Sequence, residues 1–316
     1  MSFVLVSPAQ RRSGAARAPA GARGPLPMRH GQTAPPMAAQ IGFAASSGPV
    51  ERYFPLARRH GLGWLEFACQ NPVNFPETFD RARIRRVRAL VERSGVRCGL
   101  HSASFVNTAE IMPTVRKAAV AHLREYIDLT AALGCEYLVT HCGFHFSVYL
   151  DRVRAAMRET LTRAVEYAER RRVPLVIENM NRLPGGSEFQ YLGVTAEEFA
   201  DLFRRIRSPY LGLTLDVAHC HLLPGGAARF IRAFPDRIRT VQLSDNRGIV
   251  DEHLPIGSGS VDFAGVLRLL RGIGFAGPLI IELSDVAKKV RSKARLLRLL
   301  AAAGDGQASR RRAGRG

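Results

Sequence analysis

From about residue 39 the chain alternates short apolar runs with longer stretches in which apolar residues recur every three or four positions. The short runs predict strands over Gln40–Ala44, Trp64–Phe67, Arg97–His101, Tyr137–His141, Leu175–Glu178, Gly212–Asp216, Thr240–Leu243 and Leu279–Glu282. Each is brief and nearly continuous, as expected of parallel strands covered on both faces. The longer stretches predict helices over Pro49–His60, Pro76–Ser94, Met112–Leu133, Val148–Arg172, Ala196–Arg207, Gly226–Ala233, Val261–Ile273 and Val286–Ala303. Leu161, Ala164, Val165 and Ala168 show the helical spacing, with charged residues between them. Thr195 followed by Glu198 is a capping box, and Pro174 stops the helix ahead of a strand.

Eight strand–helix units in 316 residues favour an α/β fold, a single (βα)8 TIM barrel, over an open doubly wound sheet. No GxGxxG follows the first strand, which counts against dinucleotide binding. The barrel is expected over residues 38–303, between a basic, disordered N-terminal extension (1–37) and a basic, disordered tail (304–316). The first 36 residues are rich in Ala, Gly, Arg and Pro without periodicity, so Met37 is a candidate start in place of Met1.

Charge sharpens this division. The net charge is +19, but residues 41–285 carry only +5 of it. Residues 286–316 hold ten Lys/Arg and one Asp, read here as a solvated helix face and a tail. No apolar run approaches the roughly 18 residues that span a bilayer, so no membrane is expected. Five scattered cysteines without a CxxC suggest free thiols and a cytoplasmic setting.

The strand ends carry the candidate chemistry. They supply Glu66, His101, His141, Glu178-Asn179, Asp216 with His219, Gln242, and Glu282, while the loop after the seventh strand holds Arg247, Asp251 and His253. In a (βα)8 barrel catalytic groups sit on this carboxyl face. One such residue could be a buried ion pair. Carboxylates and imidazoles at the ends of so many strands, gathered at one mouth, point to a divalent metal.

Four segments carry a family resemblance: Val176-Ile177-Glu178-Asn179, Thr214-Leu215-Asp216-Val217-Ala218-His219, Gln242-Leu243-Ser244-Asp245-Asn246, and His253-Leu254-Pro255-Ile256-Gly257-Ser258-Gly259. With them, residues 40–285 resemble the xylose-isomerase-like barrel superfamily, which holds sugar isomerases and epimerases as well as nucleases of the endonuclease IV type. The resemblance to the epimerases implies one metal held by Glu178, Asp216, Gln242 and Glu282. Gln242 stands where the family usually has His. The set is then all oxygen, which suits Mn²⁺ or Mg²⁺ better than Zn²⁺. The same resemblance implies Glu178 and Glu282 as an acid/base pair acting through an enediolate. His101, His141, His219, Arg247, Asp251, His253 and Glu66 are the substrate-binding candidates. The implied substrate is a small sugar, sugar phosphate or hydroxy-carbonyl compound, with a homo-oligomer possible.

The resemblance to the nucleases implies a zinc-dependent abasic-site endonuclease, of whose nine ligand positions eight are filled by His101, His141, Glu178, Asp216, His219, Asp251, His253 and Glu282. The loops after strands two and three (Ala68–Phe75 and Ser102–Glu110) contain no Lys or Arg, which argues against a nucleic-acid partner. A non-catalytic sugar-binding barrel is the third alternative.

Overall fold

The computed structural model describes residues 36–313; the expected N-terminal extension lies outside them up to residue 35. The barrel strands are β1 (Ile41–Ala45), β2 (Trp64–Ala68), β3 (Arg97–His101), β4 (Leu138–Thr140), β5 (Leu175–Glu178), β6 (Leu211–Asp216), β7 (Ile238–Leu243) and β8 (Leu279–Ile281). They close in the order β1-β8-β7-β6-β5-β4-β3-β2, every pair parallel. The chain is a single (βα)8 TIM barrel, as the alternation predicts.

The main helices are α1 (Tyr53–His60), α2 (Arg81–Ser94), α3 (Pro113–Leu133), α4 (Leu150–Arg171), α5 (Ala196–Arg205), α6 (Gly226–Ala233), α7 (Phe263–Gly272) and α8 (Val286–Ala313). The Thr195/Glu198 capping box forms at the start of α5. Three features differ from the periodicity. A short antiparallel ladder pairs Phe144–His145 with Gln190–Tyr191. A one-turn helix, Val217–His221, comes directly after β6. The last helix continues to Ala313, so residues 304–313, expected as a tail, are helical. Among the described residues no helix is long and apolar enough to cross a membrane.

Strand periodicity separates two cores. Ile41, Phe43, Leu65, Phe67, Leu175 and Ile177 join the large cluster that the helices cover. Ala44, Trp64, Tyr137, Val139, Val176 and Ile280 form a second cluster with no helix residue, and they alternate with the first set along the strands. Successive strand side chains face opposite ways, so this second cluster fills the barrel interior. Two positions beyond Trp64, Val139, Val176 and Ile280 stand Glu66, His141, Glu178 and Glu282. The same parity that packs the floor therefore lines the mouth with polar groups.

One irregularity keeps this register. Between Leu213↔Ile238 and Thr214↔Thr240 the β7 side advances two residues against one on β6. Such a bulge shifts the facing of the later β7 residues by one position. It sets Gln242 directly beside Asp216. Small residues make room lower down. A Cβ on Gly99 would stand 2.2 Å from the Tyr137 ring. Gly99→Ala is therefore expected to cost about 1–3 kcal/mol by overpacking; a denaturant midpoint equal to wild type would show that Tyr137 can yield.

Candidate metal and acid–base centre at the barrel mouth

Glu178 is the hub. Its Oε2 lies 2.9 Å from His101 Nε2 and 3.2 Å from His141 Nε2, and its Oε1 lies 3.5 Å from His219 Nδ1. Asp251 Oδ2 lies 3.3 Å from His219 Nε2 and 2.9 Å from His253 Nε2. Three compact groups result, each with its ligand atoms within 4.8 Å of one another: His101, His141 and Glu178; Glu178, Asp216 and His219; His219, Asp251 and His253.

The other expected site residues lie around these groups. Gln242 is buried at the same end and Glu282 partly buried; Glu282 joins none of these groups, although it is close enough for its field to be felt by His101 and His253. Glu66 is buried and bonded to Tyr137 and Gln242. Arg247 is exposed and paired with Glu252. A loop arginine reads the same in sequence whether it turns inward or toward a neighbouring acid.

Backbone contacts define how the imidazoles present themselves. Nδ1 of His101 meets the Ser102 carbonyl at 2.7 Å, Nδ1 of His219 the Asn179 carbonyl at 2.8 Å, and Nδ1 of His253 the Glu282 carbonyl at 3.3 Å. A carbonyl only accepts, so each Nδ1 carries the hydrogen. In a neutral ring the Nε2 lone pair would then face a carboxylate oxygen. That opposition is relieved only by a proton on Nε2 or by a cation shared between the two groups. An Nδ1–H anchored on a carbonyl is also the usual support for a metal-ligating histidine. Asp216 Oδ2, Gln242 Oε1 and Asp251 Oδ1 are buried without a hydrogen-bond partner. Buried acceptors without donors, at the same barrel end as the anchored imidazoles, fit a divalent cation.

Without a cation, charge is shared among the side chains. Burial would raise Glu178, but the His141 charge and the hydrogen bonds from both histidines outweigh it and hold the carboxyl well below its ordinary range. Burial would likewise raise Asp251, which its bonds to His219 and His253 hold low instead. Burial works against His101, yet its bond to Glu178 raises it to about 9, and the Asp251 bond raises His253 to about 10. Burial depresses His141. It lifts Asp216 to about 6 and Glu66 to about 7; Glu282 also reaches about 7, with the Glu178 charge adding to the effect.

Several supporting residues have no role in the sequence pattern. Asn179 accepts from the Asp216 backbone N–H at 2.8 Å and donates to the Asp216 carbonyl at 3.1 Å, tying β5 to β6. Buried Asp245 accepts backbone N–H groups of Asn246, Gly257, Gly259 and Val261, and so shapes the loop that carries Asp251 and His253. A Cβ on Gly259 would lie 2.4 Å from Asp245 Oδ1, which accounts for that glycine. Both signals are present in the chain as the Glu-Asn and Ser-Asp-Asn…Gly-Ser-Gly strings. Tyr137 gives none, since an aromatic at a strand start reads as core.

The raised carboxyl of Glu66 has a measurable consequence. Its value climbs from 4.5 to about 7 on folding. Its contribution to stability is therefore complete below about pH 4.5 and lost as pH rises through about 7. In metal-free protein, Glu66→Gln is expected to match wild type near pH 4.5 and to exceed it by about 3 kcal/mol above pH 7. Urea midpoints across that range check this; a difference independent of pH would show that the carboxyl is not raised.

A family model described as the xylose isomerase-like TIM barrel matches residues 54–300. The uncharacterized protein MJ1311 of Methanocaldococcus jannaschii is 32% identical over 217 residues, covering 66% of this chain and 72% of that protein. The probable endonuclease 4 of Symbiobacterium thermophilum is 28% identical, covering 72% of this chain and 86% of that one. The crystal structure of a D-tagatose 3-epimerase-like protein superposes with a TM-score of 0.75 at 27% identity, covering 84% and 99% of the two chains. The chain belongs to the xylose isomerase-like TIM barrel family.

Proposed function

We propose that the protein is a divalent-metal-dependent isomerase or epimerase of a small sugar, sugar phosphate or hydroxy-carbonyl compound. The observation that carries this reading is the placement of Glu178 and Glu282. Glu178 is buried and Glu282 partly buried, and they enter the mouth from β5 and from just past the end of β8, strands three places apart in the closed ring. A substrate carbon held between them has a carboxylate on either side. One removes a proton next to a carbonyl and the other returns it, so that an enediolate is formed and quenched. His219 Nε2 and His253 Nε2 are the groups suited to hold substrate oxygens. The packed floor of Trp64, Tyr137, Val139 and Val176 shuts water out from below.

When bound, a divalent cation supplies positive charge to substrate oxygens that become negative. Glu178, Asp216, Gln242 and Glu282 are the residues we assign to it. These four donors are all oxygen, which suits Mn²⁺ or Mg²⁺ better than Zn²⁺. The likeness to a D-tagatose 3-epimerase-like protein supports a ketose as the substrate class.

A second reading has its own support. His101–His141–Glu178 and His219–Asp251–His253 are imidazole-rich groups suited to Zn²⁺, and one relative is a probable endonuclease 4. Hydrolysis of a phosphodiester at an abasic site is the corresponding activity. The absence of Lys and Arg from the loops after β2 and β3 weighs against it.

The test is a panel of ketoses and their phosphates incubated in deuterium oxide with Mn²⁺ or Zn²⁺, beside an abasic DNA duplex. Epimerisation with deuterium incorporated next to the carbonyl is the expected result. Glu178→Gln and Glu282→Gln are each expected to lower turnover by about 10²–10⁴-fold with unchanged circular dichroism. Full turnover in either variant removes the two-base proposal. Incision of the duplex with no sugar turnover selects the second reading.

A further inference from the structure

Gln242 occupies the position where the family resemblance implies an imidazole. Its surroundings in this chain explain how an amide can serve there. Gln242 Nε2 donates to Glu66 Oε1 at 2.9 Å, and the Tyr137 hydroxyl donates to Glu66 Oε2 at 2.8 Å. All three side chains are buried, with exposures of 0% for Gln242, 1% for Glu66 and 4% for Tyr137. The residues come from β7, from β2 and from the position just before β4, so the contact spans the barrel interior.

The carboxylate determines which way the amide lies. Both bonds at Glu66 are donated to it, and wherever the carboxylate is ionised it only accepts, so the NH₂ end of Gln242 faces Glu66. Turning the amide over would set its oxygen against a carboxylate oxygen. The carbonyl end is thereby directed away from Glu66, and Oε1 is buried with no partner. Asp216, the register partner of Gln242 on β6, has an orphan acceptor as well, Oδ2. Cross-strand partners face the same side of a sheet. Two buried acceptors cannot satisfy each other, and each left alone costs about 1–3 kcal/mol. One cation satisfies both.

We propose that Glu66 and Tyr137 are positioning residues that lock the Gln242 amide with its carbonyl oxygen toward the metal, so that Gln242 is retained as an oxygen ligand. This rests on the metal-dependent reading above. Without Glu66 the amide is free to turn its NH₂ toward the cation, where a donor repels it. Tyr137 holds the second carboxylate oxygen and keeps Glu66 from rotating. The bonds from Gln242 and Tyr137 fill one acceptor position on each Glu66 oxygen.

The experiment is a Mn²⁺ titration of the metal-stripped full chain near pH 8, tracked by the loss of the free-ion electron paramagnetic resonance signal. Circular dichroism and thermal melting are recorded on each variant. Gln242→Leu and Glu66→Ala are each expected to weaken one Mn²⁺ site by about 10–100-fold, the usual effect of losing a ligand's support. Glu66→Gln is expected to restore affinity to within about threefold of wild type, since its own oxygen can accept from Gln242; a merely structural role for the charge predicts no such rescue. Should Glu66→Ala fail to fold, Tyr137→Phe preserves the ring packing and is expected to weaken the same site about threefold or more. Wild-type affinity in folded Glu66→Ala, or in folded Tyr137→Phe where Glu66→Ala does not fold, overturns the positioning role and leaves the metal reading standing. A wild-type chain that binds neither Mn²⁺ nor Zn²⁺ overturns both.

Discussion

Several carboxylates buried at one end of a barrel cannot all stay ionised unless positive charge is supplied among them. Glu66, Glu178 and Asp216 are buried at the mouth of this barrel, and Glu282 is partly buried beside them. The chain answers in two ways. Glu178 and Asp251 draw protons onto neighbouring imidazoles, while Glu66 and Glu282 are raised toward neutrality. Each answer is a compromise that a divalent cation would relieve. Cation binding and stability of this end are therefore linked, because an ion that binds only the folded arrangement stabilises it by mass action. The same reasoning gives the mouth its pH dependence, since every group that responds to protons there also faces a candidate ligand.

The scaffold meets this constraint through strand parity. The interior positions are apolar or small near the floor and polar at the carboxyl ends, so folding delivers the acids to one place. Parity alone would misdirect β7, and the bulge beside Leu213 and Thr214 corrects it. Asn179 then ties β5 to β6, and Asp245 gathers four backbone N–H groups of its loop. These hydrogen bonds hold backbone rather than substrate. They act by limiting where Glu178, Asp216, Asp251 and His253 can go.

Local features of the chain are legible in its sequence. Eight apolar runs separated by helical spacing leave few topologies other than the barrel. Acids ending those runs mark the mouth, which is why Glu178, Asp216 and His219 stand out together as parts of short strings. Long-range pairings leave no such trace. Gln242 and Glu66 are separated by 176 residues, and nothing near either predicts the bond. Lys289 reads as part of a solvated basic face, yet it is fully buried and reaches the Ala44 carbonyl at 2.5 Å. Charge along a helix shows that a lysine is present, not which way it points. Residues 304–313 lack apolar periodicity, so a helix there has no signal beyond continuation of α8.

The two chemistries weighed for this mouth make a common demand. Removing a proton next to a carbonyl and attacking a phosphodiester both build negative charge on oxygen, and both are helped by a cation fixed before the reaction begins. The shared demand explains why one barrel family holds relatives as different as a 3-epimerase-like protein and a probable endonuclease. Discrimination must then come from what differs around the cation. Nδ1 anchoring on carbonyls makes His101, His219 and His253 good ligands or good donors to a substrate, without choosing between these roles. The loops choose more sharply. A duplex carries charge along its whole length and needs a cationic track outside the site, whereas a small sugar needs only the cavity. The segments after β2 and β3 offer no such track, so a cation bound at this mouth would be better matched to a substrate that fits wholly inside it.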